Sequence, residues 1–438
     1  MNEITSTKFF ETEYIDFSVY DNVRKIASYL DGLKNAQRKV MYTMLETNCD
    51  NFTKVSNLGP RIQDFAQYLH GSLENGVVNM TQDYVASGNN IPYLVGDGNF
   101  GTRFIPNAAA SRYIFAKTNP IVKDLFKKED NVNLYHQVFE GDKIEPLFYM
   151  PIIPTILANQ QEGMSIGFAQ KILPRDPNEL AKWVKQKAEG KRLTAKLTPY
   201  WSGQDFTVEQ GETELQWVIT GSFKRVSRTK LQVTSLPVGY NLKQYHSVLD
   251  KLVDDKVIRD YDDLSDDDKF CFDIIAASSF TQQDDDKIIH KLKLQKRITE
   301  NFTCVDDQNK IVQFKNAKEL LEKWYNWRIV FNEKRKEHLI DKTTKELQNA
   351  NTVKWFIEGV VSGEIVIQNK TEKQIMDSVE KLRAPFIPDL LKLPMRRLTS
   401  EEIKKLKTKI DGLNNYLKEL EAMTFTQITI DDLKELKL

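Results

Sequence analysis

A glycine-rich loop leading to an Arg-Tyr pair is the part of this sequence with the clearest chemical potential. Gly96-Asp97-Gly98-Asn99-Phe100-Gly101-Thr102-Arg103 is followed by Ala108-Ala109-Ala110-Ser111-Arg112-Tyr113-Ile114-Phe115-Ala116. Glycines at 96, 98 and 101 permit backbone conformations and close approaches that side chains forbid. A phosphate-bearing partner could therefore come within reach of the loop N–H groups. Small residues from Ala108 to Ser111 leave little bulk ahead of Arg112 and Tyr113. Taken alone this is a common surface pattern. Other chemistries find less support. There is no GxxxxGK[ST] loop for a nucleotide triphosphate, and no HExxH, paired CxxC or EF-hand loop, so no metal site is expected in this chain. The histidines are only His70, His136, His246, His290 and His338, which leaves few bases for a serine or cysteine triad. Asp266-Asp267-Asp268 lies in a run that reads as a solvated acidic face.

The elements that must position these residues are those of a multidomain α+β chain. Its 438 residues suggest two to four domains at about 150 residues each. From 14 to about 155 the pattern is mainly helical, with apolar spacing over Val19–Leu30 and Ala36–Leu45. Leu69 to Glu74 reads as a turn feeding a helix through Asn75–Tyr84, and Ala108–Ala116 as helical or at a helix boundary. From 156 to 315 strand-like runs appear at 217–220, 230–234, 270–275 and 310–314. A helical stripe, Leu242 to Val253, lies between them. Ala317 to about Leu347 reads as one long helix. Ile403, Leu406, Ile410, Leu413, Leu417 and Leu420 form a seam spaced by three and four residues. Thr399 and Glu402 form its capping box, and the seam runs roughly 25 Å at helical rise. So narrow a stripe needs one partner helix, which points to an outgoing helix, a compact knob over 351–398, and a returning helix. A bundle inside one globule is the other layout.

Lysine plus arginine equals aspartate plus glutamate at 62 each, so composition alone gives no sign of a nucleic-acid partner. The charge is segregated, however. Acids gather at 262–268 and 284–286, and bases at Lys123, Lys127 and Lys128 and at Lys224, Arg225, Arg228 and Lys230. A basic face and an acidic face fit a neutral total. Cys49, Cys271 and Cys304 suggest neither a disulfide framework nor zinc, and suit a reducing compartment. No apolar run reaches the ~18 residues of a membrane span, and Met1–Glu13 lacks the apolar stretch of a secretory signal. A cytoplasmic setting is expected.

The run from Gly96 to Lys117, GDGNFGTRFIPNAAASRYIFAK, resembles the active-site segment of the type IIA DNA topoisomerases. The similarity is greatest to the medium-subunit form that T-even bacteriophages make as a split enzyme. Three further segments match in order. Asp31-Gly32-Leu33-Lys34-Asn35-Ala36-Gln37-Arg38-Lys39-Val40 is similar to the family's DGLKPxQRKV, with Asn35 in place of proline. Tyr68-Leu69-His70-Gly71, then Ser72-Leu73 and Met80-Thr81-Gln82, is similar to YHHG…SL…AQ, with Leu69 in place of the first histidine. Glu162-Gly163-Met164-Ser165-Ile166-Gly167 resembles the family's EGIGTG turn. The likeness is densest over 16–175.

The resemblance implies that Tyr113 attacks a DNA phosphodiester and forms a transient 5′-phosphotyrosyl link, so resealing needs no ATP. A phenol titrates near ~10 in water and needs help at neutral pH. Arg112 and Arg38 would supply cationic charge, and His70 a proton relay or a hydrogen bond. Lys34, Lys39, Arg103, Ser111 and Lys117 would contact DNA, largely at phosphates. Met164, or else Ile166, would wedge between base pairs and bend the duplex. The implied layout is a winged-helix breakage-reunion domain (1–155), an α/β tower (156–315), a long antiparallel coiled coil (316–350 and 399–438) and a helical dimerisation knob (351–398), the C-gate. Mg²⁺ and ATP would bind a separate ATPase and metal-binding subunit in an A2B2 assembly on double-stranded DNA. If phage-encoded, the enzyme would work in the host cytoplasm. Relaxation and decatenation by duplex passage would follow, with a four-base stagger between cuts. The alternatives are a noncatalytic DNA-bridging coiled-coil protein, a tyrosine recombinase, whose tyrosine lies near the C-terminus, and a degenerate scaffold.

Overall fold

The computed structural model describes residues 5–68, 73–266, 269–367, 370–371, 374–375, 390, 393–394 and 397–438. Two compact units result. One holds residues 1–328 and 429–438, the other 329–428.

The first unit begins with α1 (Ser6–Glu11) and α2 (Glu13–Lys25), then α3 (Asn35–Glu46), β1 (Thr53–Lys54), α4 (Val55–Phe65), α5 (Glu74–Thr81), β2 (Leu94–Asp97) and β3 (Phe115–Thr118). β3 lies between β1 and β2, antiparallel to both. Val40, Met41 and Met44 on α3 meet Val55, Leu58 and Ile62 on α4 and Val77 and Met80 on α5, all buried. Ile114 and Ala116 close this core from the strand side. The helix expected over Val19–Leu30 instead ends at Lys25. Ile26 to Leu30 are buried in irregular backbone, which the helical apolar spacing had mimicked. The helical expectation for Ala108–Ala116 also fails. Only Ser111–Tyr113 makes a 3-10 turn, because Phe115 onward is claimed by pairing with both neighbouring strands.

Beyond 156 the expected strands form at Gln216–Thr220, Lys230–Ser235, Phe272–Ile275 and Ile311–Phe314, and the expected helix at Leu242–Asp254. A four-stranded antiparallel sheet runs in the order 222–227, 230–235, 272–275, 260–263. Its apolar face, with Leu231, Val233, Phe272 and Ile274, packs against Tyr245, Leu249 and Leu252 of the helix. Its outer edges differ in charge. The strand 222–227 exposes Lys224 and Arg225, and the strand 260–263 carries Asp260, Asp262 and Asp263. Arg225 is tied to Asp285 at 2.6 Å. The expected boundary at 155/156 falls inside this first unit.

In the second unit, the helix Ala317–Ser362 contributes its residues from 329 onward. It continues well past the expected end at Leu347, so Trp355-Phe356-Ile357 is helical, with Phe356 packed in a cluster with Ile365, Ile375 and Leu390. The returning helix is Ser400–Ala422, with the Thr399 hydroxyl accepting from Glu402 N at 3.3 Å. Only half the expected capping box forms, since the Glu402 carboxylate turns to Arg397 instead. Lys336 Nζ donates to Glu421 O and Met423 O, and Lys407 approaches Glu358. Early residues of one helix thus meet late residues of the other, which makes the pair antiparallel. Leu406, Ile410 and Leu420 of the seam are buried. The last ten residues, expected in the arm, belong to the first unit, where Glu435 pairs with Lys127 at 2.6 Å.

Candidate active site

Tyr113 sits near the end of the connection from β2 to β3 and is 64% exposed. That exposure follows from what fixes its neighbours. Ile114 is fully buried, and its carbonyl accepts from Val55 N at the start of α4. Tyr113 N donates to Ala110 O across the 3-10 turn. Backbone on both sides is held, and the phenol projects outward. The Arg112 guanidinium lies 4.8 Å from the centroid of the Tyr113 ring. It therefore stacks its charge on the π face, close enough to meet an anion that reaches the phenol.

The loop itself is folded by glycines and one amide. Gly98 and Gly101 have φ of +103° and +91°, where L side chains are strained. At Gly101 a Cβ would also come within 2.5 Å of Pro106 O. Gln82, just past α5, donates from Nε2 to Phe100 O at 2.9 Å and Pro106 O at 3.2 Å, clipping the two arms of the loop together. Sequence reasoning did not single out Gln82 as a site residue. Its signal was its place in the Met80-Thr81-Gln82 match.

The other expected site residues divide. Met164 stands at the tip of a hairpin, Gln161–Met164 paired with Ala169–Ile172, and is 78% exposed. That tip is tethered to α2: Ser165 Oγ donates to Asn22 Oδ1 and Ile166 N to Asp21 Oδ2. Ile166 is half-buried, so Met164 is the side chain presented outward. Lys34 Nζ donates to Glu162 O at 2.6 Å, bracing the same hairpin, and burial lowers its pKa. Lys117 lies over the Phe52 ring at 4.5 Å, and Ser111 is half-buried at the start of the turn before Tyr113.

Three of the expected site residues are paired inside the protein. Arg38 is buried, with Nε and Nη2 on the Asp31 carboxylate at 2.8 and 3.0 Å and Nη2 also on Leu33 O. Its guanidinium thus anchors the Asp31–Leu33 turn. Lys39 is buried, with Nζ on Glu145 at 2.8 Å and on Ala66 O at 2.6 Å. Arg103 is bonded to Asp205 and Leu236 O inside the protein. His70 lies outside the described residues. Among the described residues no three His, Cys, Asp or Glu side chains group as a metal would need. Asp97 is the one acid between Gly96 and Lys117.

Comparison with known proteins gives the family. The family profile for the A subunit of DNA gyrase/topoisomerase IV matches residues 24–434. The DNA topoisomerase medium subunit of Enterobacteria phage T4 is 30% identical, over 98% of this chain and 97% of that protein. The mitochondrial DNA topoisomerase 2 of Dictyostelium discoideum is also 30% identical, over 87% of this chain but only 30% of its own length. The DNA-binding, cleavage and re-ligation domain of Plasmodium falciparum topoisomerase II superposes with a TM-score of 0.90 at 27% identity, covering 98% of this chain and 63% of that one. A profile matched nearly end to end, and a relative matched over almost its whole length, make this chain a member of the DNA gyrase/topoisomerase IV A-subunit family.

Proposed function

We propose that this chain is the DNA-cleaving and religating subunit of a type II topoisomerase, with Tyr113 as nucleophile. The observation that carries the proposal is an exposed phenol with a guanidinium on its ring, held by buried Ile114 on one side and by the Tyr113 N to Ala110 O hydrogen bond on the other. In the cleavage step Tyr113 Oη bonds to phosphorus as the P–O3′ bond breaks. The phenolic proton leaves and the 3′ oxygen takes one up. One phosphodiester replaces another, so the step runs back without ATP. Arg112, rotated from the ring, would meet charge growing on the phosphate oxygens.

The order α3-β1-α4-α5-β2-loop-β3 supports a winged-helix reading of this region, with the Tyr113 loop as the wing and α5 toward the groove. Residues 156–315 would be the tower, and the antiparallel helices of the second unit a coiled-coil arm ending in a dimer contact. Mg²⁺ and ATP are assigned to a partner subunit, since the Tyr113 loop offers a single carboxylate. A surface for that partner is offered by Phe9, Phe10, Ile15, Phe17, Val19 and Tyr20, all exposed on α1 and α2. So large an apolar patch marks a protein contact. An A2B2 assembly would place two Tyr113 side chains for staggered cuts.

The test is direct. Chain, partner subunit, Mg²⁺ and supercoiled plasmid are mixed, trapped with detergent, and the DNA-linked peptide mapped by mass. The 5′ end should be found on Tyr113. An adduct on another side chain would overturn the assignment of Tyr113, and no adduct at all would favour the DNA-bridging alternative.

Met164 supplies a second expectation. As the outward side chain of a braced hairpin it would insert between base pairs. Unstacking costs a few kcal/mol per step. Met164→Ala should therefore cut the bent-DNA population about tenfold, since ~1.4 kcal/mol is a factor of ten. Energy transfer across an end-labelled duplex reads this. Unchanged bending would rule Met164 out, and loss in Ile166→Ala alone would pass the role to Ile166.

A further inference from the structure

Arg103 and Phe104 leave the Tyr113 loop and enter the core of the four-stranded sheet region more than a hundred residues away in sequence. Phe104 is buried in that core, with its ring 4.4 Å from Phe270 between centroids. Its carbonyl accepts from Leu242 N, at the start of the helix that covers the sheet. Arg103 lies 4.8 Å from the Phe270 ring and 5.5 Å from Phe206. Its Nη1 reaches Asp205 Oδ1 at 2.7 Å and its Nη2 reaches Leu236 O at 2.6 Å. Its Nε is buried without a partner among the described residues. A guanidinium that gives up one hydrogen bond to lie between aromatic rings is committed to protein packing. At the opposite side the loop is clipped by Gln82. The loop is therefore pinned both to the helical region it springs from and to the sheet region.

We propose that Arg103 and Phe104 are positioning residues for Tyr113, through which the sheet region at Asp205, Leu236 and Phe270 sets where the phenol stands. The inference rests on Tyr113 being the nucleophile. When DNA is engaged by both regions, a shift between them is transmitted to the loop at Phe104, ten residues before Ile114 fixes its other end. Tyr113 is presented fully only when both regions hold the same duplex. Cleavage is thereby tied to DNA geometry by a lever that touches neither substrate nor phosphate.

Two conservative variants separate this from direct phosphate contact. Asp205→Asn removes the charge but keeps a hydrogen-bond acceptor at an exposed position, so it folds; Arg103→Lys keeps the charge and loses the fork. With partner subunit and Mg²⁺, both should lower the rate of adduct formation by roughly 10- to 100-fold, the effect expected of a small misplacement. DNA affinity and its salt slope, measured on the full chain alone, should be unchanged. Hydrogen exchange at Asn99–Ile105 should quicken in both. If Arg103 contacts phosphate instead, Arg103→Ala weakens binding and reduces the salt slope by about one, while Asp205→Asn leaves cleavage intact. That outcome overturns the proposal, as does unchanged cleavage in both variants. Failure of the nucleophile reading shows separately, as a wild-type adduct that does not map to Tyr113.

Discussion

Tyr113→Phe should abolish both the covalent DNA adduct and plasmid relaxation while leaving the protein folded. The substitution removes one oxygen from a side chain that is 64% exposed and has the Arg112 guanidinium over its ring. No buried group loses a partner, so stability should stay within the small range of surface changes, about 0.5 kcal/mol. The ring remains, and Arg112 keeps its π face. Activity is another matter, because Tyr113 is the one phenol in the loop and the alcohols of Thr102 and Ser111 are far weaker acids. Ser111 is the nearest hydroxyl, but it is half-buried at the start of the turn. Deleting a nucleophile typically costs on the order of 10⁴ to 10⁶ in rate. DNA binding should persist, since phosphate contacts elsewhere carry affinity. The measurement is paired: adduct yield with relaxation on one hand, duplex affinity on the other. A Tyr113→Phe protein that still relaxes plasmid would remove the catalytic assignment, and one that no longer binds would show that the tyrosine serves the interface.

How far this site could be read in advance differs by residue, for physical reasons. The exposure of Tyr113, Arg112 and Met164 was legible because each lies in a compact local pattern whose exposure is decided by its immediate neighbours. The glycine loop was legible too, since a positive φ at Gly98 and Gly101 depends on local backbone alone. The ion pairs of Lys39 and Arg103 were not legible, for the opposite reason. A basic residue in a matched motif looks like a phosphate contact, and the acid that claims it can be far along the chain. Lys39 finds Glu145 and Arg103 finds Asp205, each more than a hundred residues away. The same holds for β3. Ala108–Ala116 has good local helix formers, but tertiary strand pairing overrides such weak preferences. The antiparallel helices fared better, because a seam of three and four is a local record of a distant partner.

The Asp31–Arg38 pair shows what buried satisfaction is worth, and Asp31→Ala should be the most destabilising change near the site. Asp31 is fully buried. Its carboxylate accepts from Arg38 Nε and Nη2, from Leu33 N and from Tyr149 N. Its removal strands a buried guanidinium and two backbone donors at once. Breaking a buried pair from one side costs about 3–5 kcal/mol, and a midpoint loss of roughly 5–10 °C follows for a unit of this size. The turn it holds also starts α3, so the whole helical scaffold under Tyr113 loosens. The double variant Asp31→Leu with Arg38→Met discriminates between roles for Arg38. If the arginine is structural, taking both charges away should recover much of the lost stability, because no charge is then left unpaired. If it also serves the phosphate, stability returns but cleavage does not, and Arg38→Lys alone already loses cleavage. Melting curves and adduct yields on these variants and the wild type separate the two. Equal loss of stability in single and double variants would mean the ion pair is not what holds the turn.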